Sequence, residues 1–116
     1  MDYLIHKING IKIAEVTSKD ILIKAPEDIL YIIANLPARI LILKKEMFHE
    51  SFFNLKSGLA GEILQKCSNY FIKLAIIGDF SIYNSKSLND FIYESNKTKQ
   101  ILFVDKIDEA IKIFSK

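Results

Sequence analysis

LAIIGDFSIYNSKSLNDFIY, residues 74–93, opens on four apolar residues in a row, crosses a polar segment and closes on a helical stripe. An alternating run would mark a strand with one wet face. An unbroken apolar run bounded by turn residues reads instead as a strand covered on both faces, the pattern of a parallel sheet. Leu88, Phe91 and Ile92 then recur at helical spacing over about 85–95. Ser87 with Asp90 three residues later resembles a capping box at the start of that helix. Strand, polar loop over 78–87 and helix together form the repeating unit of an α/β fold.

Two further runs repeat the theme, ILIL at 40–43 and ILFV at 101–104. The first leads to SGLAGEILQKCSNY, residues 57–70, which reads as one amphipathic helix. The second leads to Ile107, Ala110, Ile111 and Phe114 on a last helix. Upstream, a short extended ILIK precedes Pro26, Glu27 and Asp28. This is a helix start, because proline is tolerated in the first turn and acids complement the N-terminal dipole. Ile29, Ile33 and Leu36 supply its buried stripe, with Leu30 and Ile32 beside them, and Pro37 is expected to end it. At the N-terminus Asn9-Gly10 joins YLIHKI to IKIAEV and supplies the two positive-φ positions of a type I′ hairpin turn. The expected fold is therefore α/β: a mixed sheet opened by an antiparallel hairpin, with 40–43, 74–77 and 101–104 as neighbouring parallel strands. Four helices join it through right-handed crossovers.

The chain of 116 residues fits one domain, 1–116, and half of it is hydrophobic, which is enough for a self-sufficient core. Sixteen basic residues against fourteen acidic ones give a net charge of +2, and Arg39 is the one arginine. Nucleic-acid readers lean on the planar guanidinium fork, so scattered lysines argue for solvated faces and against a nucleic-acid partner. The single Cys67, at helical spacing from Ala60, Ile63 and Leu64, reads as a small core hydrophobe and offers no disulfide or CxxC motif. Asp2, His6 and Lys7 break up the N-terminal run, and no apolar stretch approaches the roughly twenty residues that span a bilayer. The expectation is a cytoplasmic protein without a membrane partner.

In open α/β sheets ligands bind beyond the carboxyl ends of the parallel strands. That rule collects Lys44 to His49, the loop 78–87 and Asp105. The loop is the richest, with Gly78 for a tight strand exit, Asp79, and the hydroxyls of Ser81, Tyr83, Ser85 and Ser87. Such residues either cap backbone groups of the turn or form a binding site. GxSxG, Walker and GxGxxG patterns are absent, and His6 and His49 have no ligand-spaced partners, so neither a metal nor a cofactor is expected. Asp79 with Glu46, or His49 with Ser51, are the pairs that could be drawn as acid–base or nucleophile pairs, though solvated side chains account for them more simply.

The small residues Ser57, Gly58, Ala60 and Gly61 form a patch at the start of the 57–70 helix. Each glycine inside a helix costs about 1 kcal/mol, so something is expected to come close to this backbone. If that is a neighbouring element, Gly61→Val would overpack it. If instead the helix start is accessible, its free N–H groups favour anions, and Ser57 caps the helix or accepts a phosphate.

FFNLKSGLAGEILQKCSNY and KLAIIGDFSIYNSKSLNDFIYESN resemble the signature stretches of a bacterial family, domain of unknown function 4180, and the likeness covers essentially the whole chain. The family implies no activity. The layout, with Ser57-Gly58-Leu59 opening the helix after the first central strand, is also similar to the STAS domain of anti-sigma factor antagonists. By position, the serine that a partner kinase phosphorylates in that family falls on Ser57, with Leu55 and Lys56 where its aspartate and first serine stand. Together these features favour a non-enzymatic interaction or regulatory module. Its contacts would be Ser57, Gly58 and Gly61 on the helix and Asp79, Ser81, Tyr83 and Ser85 on the loop, with a protein as partner. The alternative is a small-molecule or anion-binding protein, with an enzyme as one form of it, that uses the crevice at the carboxyl ends of the parallel strands.

Overall fold

The computed structural model describes residues 1–116. A five-stranded sheet runs in chain order, β1 (Tyr3–Ile8), β2 (Ile11–Val16), β3 (Ile40–Lys44), β4 (Lys73–Ile77) and β5 (Ile101–Val104). β1 pairs antiparallel with β2, and every later pairing is parallel. The hairpin turns at Asn9 and Gly10, whose φ values of 54° and 79° are the positive pair that a type I′ turn requires. The three apolar runs are adjacent and parallel as their patterning predicts.

Helices α1 (Pro26–Ala34), α2 (Leu59–Asn69), α3 (Lys86–Thr98) and α4 (Ile107–Phe114) complete the chain. Because β2 to β5 are added in one direction, right-handed crossovers place α1, α2 and α3 on the same face. There Ile29, Ile63, Cys67 and Leu88 pack on Ala14, Leu41, Leu43, Leu74, Ile76 and Ile101. α4 follows the last strand and folds back on the other face, where Ala110 and Phe114 cover Ile13, Ile42, Ala75 and Leu102. Both faces of the central strands are thus dry, which is why those strands do not alternate. No helix is long and apolar enough to cross a membrane.

Several boundaries differ from expectation. α1 ends at Ala34, three residues before Pro37, with Asn35 as its cap and Leu36 in a tighter last turn onto the Ile33 carbonyl. Its start matches the sequence reading, since the Asp28 carboxylate accepts the N–H groups of Lys24 and Ala25, each at 3.0 Å. The ILIK segment forms no strand, only an isolated bridge between Ile23 and Phe48. α3 is capped by Ser85, whose hydroxyl accepts the Leu88 N–H at 3.2 Å, and Ser87 lies inside the helix. The Ser87–Asp90 spacing is therefore not a cap, and Asp90 instead pairs with Lys86 one turn earlier at 2.7 Å.

The largest departure concerns the start of α2. Residues 57–70 are not one helix, because three short 3-10 turns, Lys45–Met47, Glu50–Phe53 and Leu55–Ser57, carry the chain from β3 to Gly58. Gly58 is the cap residue, at φ 81°, so its glycine answers a left-handed backbone and not a close contact. Gly61 does lie in the helix, yet a Cβ added there would meet nothing within 4 Å. Nothing is packed against it, so Gly61→Val has no neighbour to overpack, contrary to the expectation from sequence. Gly61→Ala is instead expected to raise stability by about 1 kcal/mol, since it removes the glycine penalty and fills open space. A chemical-denaturation midpoint measures this, and a fall in stability would mean an unseen contact.

Candidate functional site

The carboxyl ends of β3, β4 and β5 lie along one edge of the sheet, and the three 3-10 turns run across it. An aromatic cluster holds them there. Phe52 is fully buried and lies 4.8 Å from Phe48, 5.0 Å from Phe53 and 6.3 Å from Phe103, ring centre to ring centre. Phe53 carries the cluster outward, since its ring stacks on Tyr83 at 4.9 Å with only 10° between planes. Phe80 meets Phe103 edge-on at 5.2 Å. The loop 78–87 is therefore fastened to the core at two aromatic points.

Between those points the chain turns on its own side chains. The Asp79 carboxylate accepts both the Ser81 hydroxyl at 2.6 Å and the Ser81 N–H at 3.0 Å. These two bonds, hydroxyl first, hold the Asp79 carboxyl below its ordinary pKa, with a smaller push from the Lys45 charge. Tyr83 donates its N–H to the Phe80 carbonyl, and Ser85 caps α3. Of the two readings of this loop, capping accounts for Asp79, Ser81 and Ser85. What capping does not explain is Ile82, which lies between the two anchors and is 63% exposed.

Lys45 joins β3 to the loop. Gly78 is required at the strand exit because a Cβ there would lie 2.7 Å from the Lys45 Cβ. The Lys45 ammonium sits over the Tyr83 ring, 5.1 Å from its centre, a cation–π contact. Burial raises the Tyr83 phenol pKa, against the pull of Lys45. Neither Lys45 nor Phe53 was singled out from sequence. The signal available was the aromatic spacing of Phe48, Phe52 and Phe53, one turn apart in a stretch with no helical continuation.

Ser57 stands on the other side of the same turns. Its hydroxyl donates to the Ser51 carbonyl, and its oxygen accepts the Leu59 N–H at 3.2 Å, so it is exposed yet held at both ends. Ser51 in turn donates its N–H to the His49 Nδ1 at 3.0 Å, and the two side chains lie 2.8 Å apart. The imidazole thus caps this turn while lying within hydrogen-bond reach of the Ser51 hydroxyl, whereas Asp79 bonds to Ser81 and not to Glu46. Ser57, Gly58 and Gly61 make no hydrogen bond to the loop 78–87. The two groups of candidates are joined through residues 51–53, since Ser57 bonds to the Ser51 carbonyl and Phe53 stacks on Tyr83. Asp105 stands apart, exposed at the end of β5.

The hollows at this edge are small. One of about 270 Å³ is lined by Lys45, Glu46, Phe48, Glu50 and Phe53, and one of about 180 Å³ by residues including Ser18, Lys19, Lys44 and Glu46. Both fall short of the roughly 300–1,000 Å³ of small-molecule pockets, and charged side chains line much of each. No three His, Cys, Asp or Glu side chains come together as a metal site. Cys67 is buried on the inner face of α2, where burial pushes its thiol pKa up to about 12.

A family described as domain of unknown function (DUF4180) matches the chain over residues 8–114, nearly its whole length. No curated protein and no solved structure matches it.

Proposed function

The chain belongs to the DUF4180 family, and from that premise we propose that it is a cytoplasmic, non-enzymatic interaction module, STAS-like in layout, that offers the sheet's carboxyl edge to a protein partner. The observation that carries this reading is Ile82, held out at 63% exposure between Phe80 and Tyr83, which are both turned inward. An apolar side chain on a loop fixed at both ends loses little conformational entropy on docking, which is what an interface anchor needs. The small, charge-lined hollows at the carboxyl ends of the strands favour a surface contact over an enclosed ligand.

Ser57 provides a control point in the same reading. A phosphate there would carry about −1.5 to −2 charges at the start of α2, where the helix dipole favours an anion, while breaking the bond to the Ser51 carbonyl. The test compares proteins recovered from the source cells by wild type, Ile82→Asp, Ser57→Asp and a control, Leu22→Asp, at an exposed position elsewhere. Ile82→Asp is expected to lose the partner with an unchanged denaturation midpoint, Ser57→Asp to alter its recovery, and Leu22→Asp to retain it. Equal recovery by all four would overturn the reading.

A further inference from the structure

The sheet has two edges, and they are treated differently. At β5 the ladder to β4 uses Gln100, Leu102 and Val104, as the bonds from Leu74 and Gly78 to the Gln100 and Val104 carbonyls fix. Phe103 therefore points its backbone outward, and the side-chain amide of Asn96 on α3 closes it. The Phe103 N–H donates to Asn96 Oδ1 at 2.8 Å, and Asn96 Nδ2 donates to the Phe103 carbonyl at 3.2 Å. A strand of four residues, capped in this way by its own helix, leaves little for another chain to pair with.

β1 has no such cover. In a two-residue hairpin the hydrogen-bonded pairs alternate outward from the turn, so Ile8, His6 and Leu4 bond to β2, and the Thr17 N–H to Asp2 carbonyl bond at 2.9 Å continues that register. The N–H and C=O groups of Tyr3, Ile5 and Lys7 then point away from the sheet, and no bond outside the hairpin ladder reaches them. The strand has six residues with no proline, and Tyr3, Leu4 and Ile5 are 38%, 54% and 38% exposed. Natural edges are usually blunted by prolines, bulges, charges or cover, and this one carries only Lys7 near its end.

We propose that β1 pairs with β1 of a second copy of the chain, antiparallel about a two-fold axis at Ile5. The outward groups of Tyr3, Ile5 and Lys7 are symmetric about Ile5, so this register satisfies all three residues on both strands. It sets Ile5 against Ile5, Tyr3 against Lys7 and Leu4 against His6. No like charges face one another, and each lysine meets an aromatic ring across the strand. The product is a ten-stranded continuous sheet in which the carboxyl edges of the two copies point in opposite directions. A second copy is favoured over a foreign peptide because the strand's own sequence supplies the complement at each position.

Sedimentation velocity of the whole chain at micromolar to millimolar concentration tests this. Wild type is expected at twice the 13.3 kDa chain mass. Ile5→Lys, which sets two ammonium groups face to face, is expected at the single-chain mass with an unchanged circular-dichroism spectrum. Should that variant not fold, Ile5→Cys decides. Facing residues of such a pair lie about 5.5 Å apart at Cα, within disulfide range. Mild oxidation should therefore convert Ile5→Cys to a covalent dimer well beyond a Leu22→Cys control. Monomeric wild type, a dimer that survives Ile5→Lys, or cross-linking no greater than the control would each overturn the proposal.

Discussion

Phe52→Ala is expected to destabilise the protein by about 3–5 kcal/mol, the range for deleting a fully buried aromatic ring. Phe52 is 0% exposed and touches the rings of Phe48, Phe53 and Phe103, so the cavity cannot collapse without moving all three. The loss is not confined to stability. Phe52 lies in the second of the three 3-10 turns, and Phe53, its neighbour, is the ring on which Tyr83 stacks. Urea denaturation gives the first effect. Amide exchange in residues 79–84 gives the second, and it should quicken in the folded state. A variant that lost stability with unchanged exchange in the loop would separate the cluster from the Ile82 knob.

Gly78→Ala is expected to cost about 1–3 kcal/mol by overpacking. Its new methyl would lie 2.7 Å from the Lys45 Cβ and 3.0 Å from its Cδ. The Cβ is tied to the backbone of the first 3-10 turn and cannot swing aside as the tip of a lysine can. The same substitution at Gly61 is expected to stabilise, so the two variants should move the denaturation midpoint in opposite directions. Combining Gly78→Ala with Lys45→Gly should recover part of the loss, because the clash needs both side chains. A Gly78→Ala midpoint equal to wild type would mean that β3 and β4 can part at this end at no cost.

The fold was legible because its signals are local and redundant. Asn9-Gly10 fixes a turn by its own φ values, and three short apolar runs read as strands buried on both faces, while the longer apolar run of residues 29–34 is marked as helix by Pro26, Glu27 and Asp28 ahead of it. Helix ends were less legible, because Ser85 and Ser87 are chemically equal candidates for a cap, and only the backbone geometry at 85 chooses between them. The start of α2 misled for a related reason. Gly58 in a left-handed cap and Gly61 in an open helix face look alike in sequence but meet different demands. Along the carboxyl edge, polarity drew attention to Asp79, Ser81 and Ser85, which mostly bond to their own loop. The residues that join the segments are Lys45, Phe53 and Tyr83, and of these only Tyr83 stood out, since contacts between distant segments leave no periodic trace.

The strand order β1-β2-β3-β4-β5 also bears on how the chain is made. Each strand docks beside the one synthesised just before it, so the sheet can widen as the ribosome delivers it, with one helical crossover to close at each step after the hairpin. No strand has to wait for a partner further along the chain, but three of the four pairings are parallel and close over a crossover, so they form more slowly than the hairpin. The exception is the face that holds Ile13, Ile42, Ala75 and Leu102, which only α4 covers. That face stays wet until residues 107–114 leave the exit tunnel, so a nascent chain stalled before them would hold a nearly finished sheet with one sticky side.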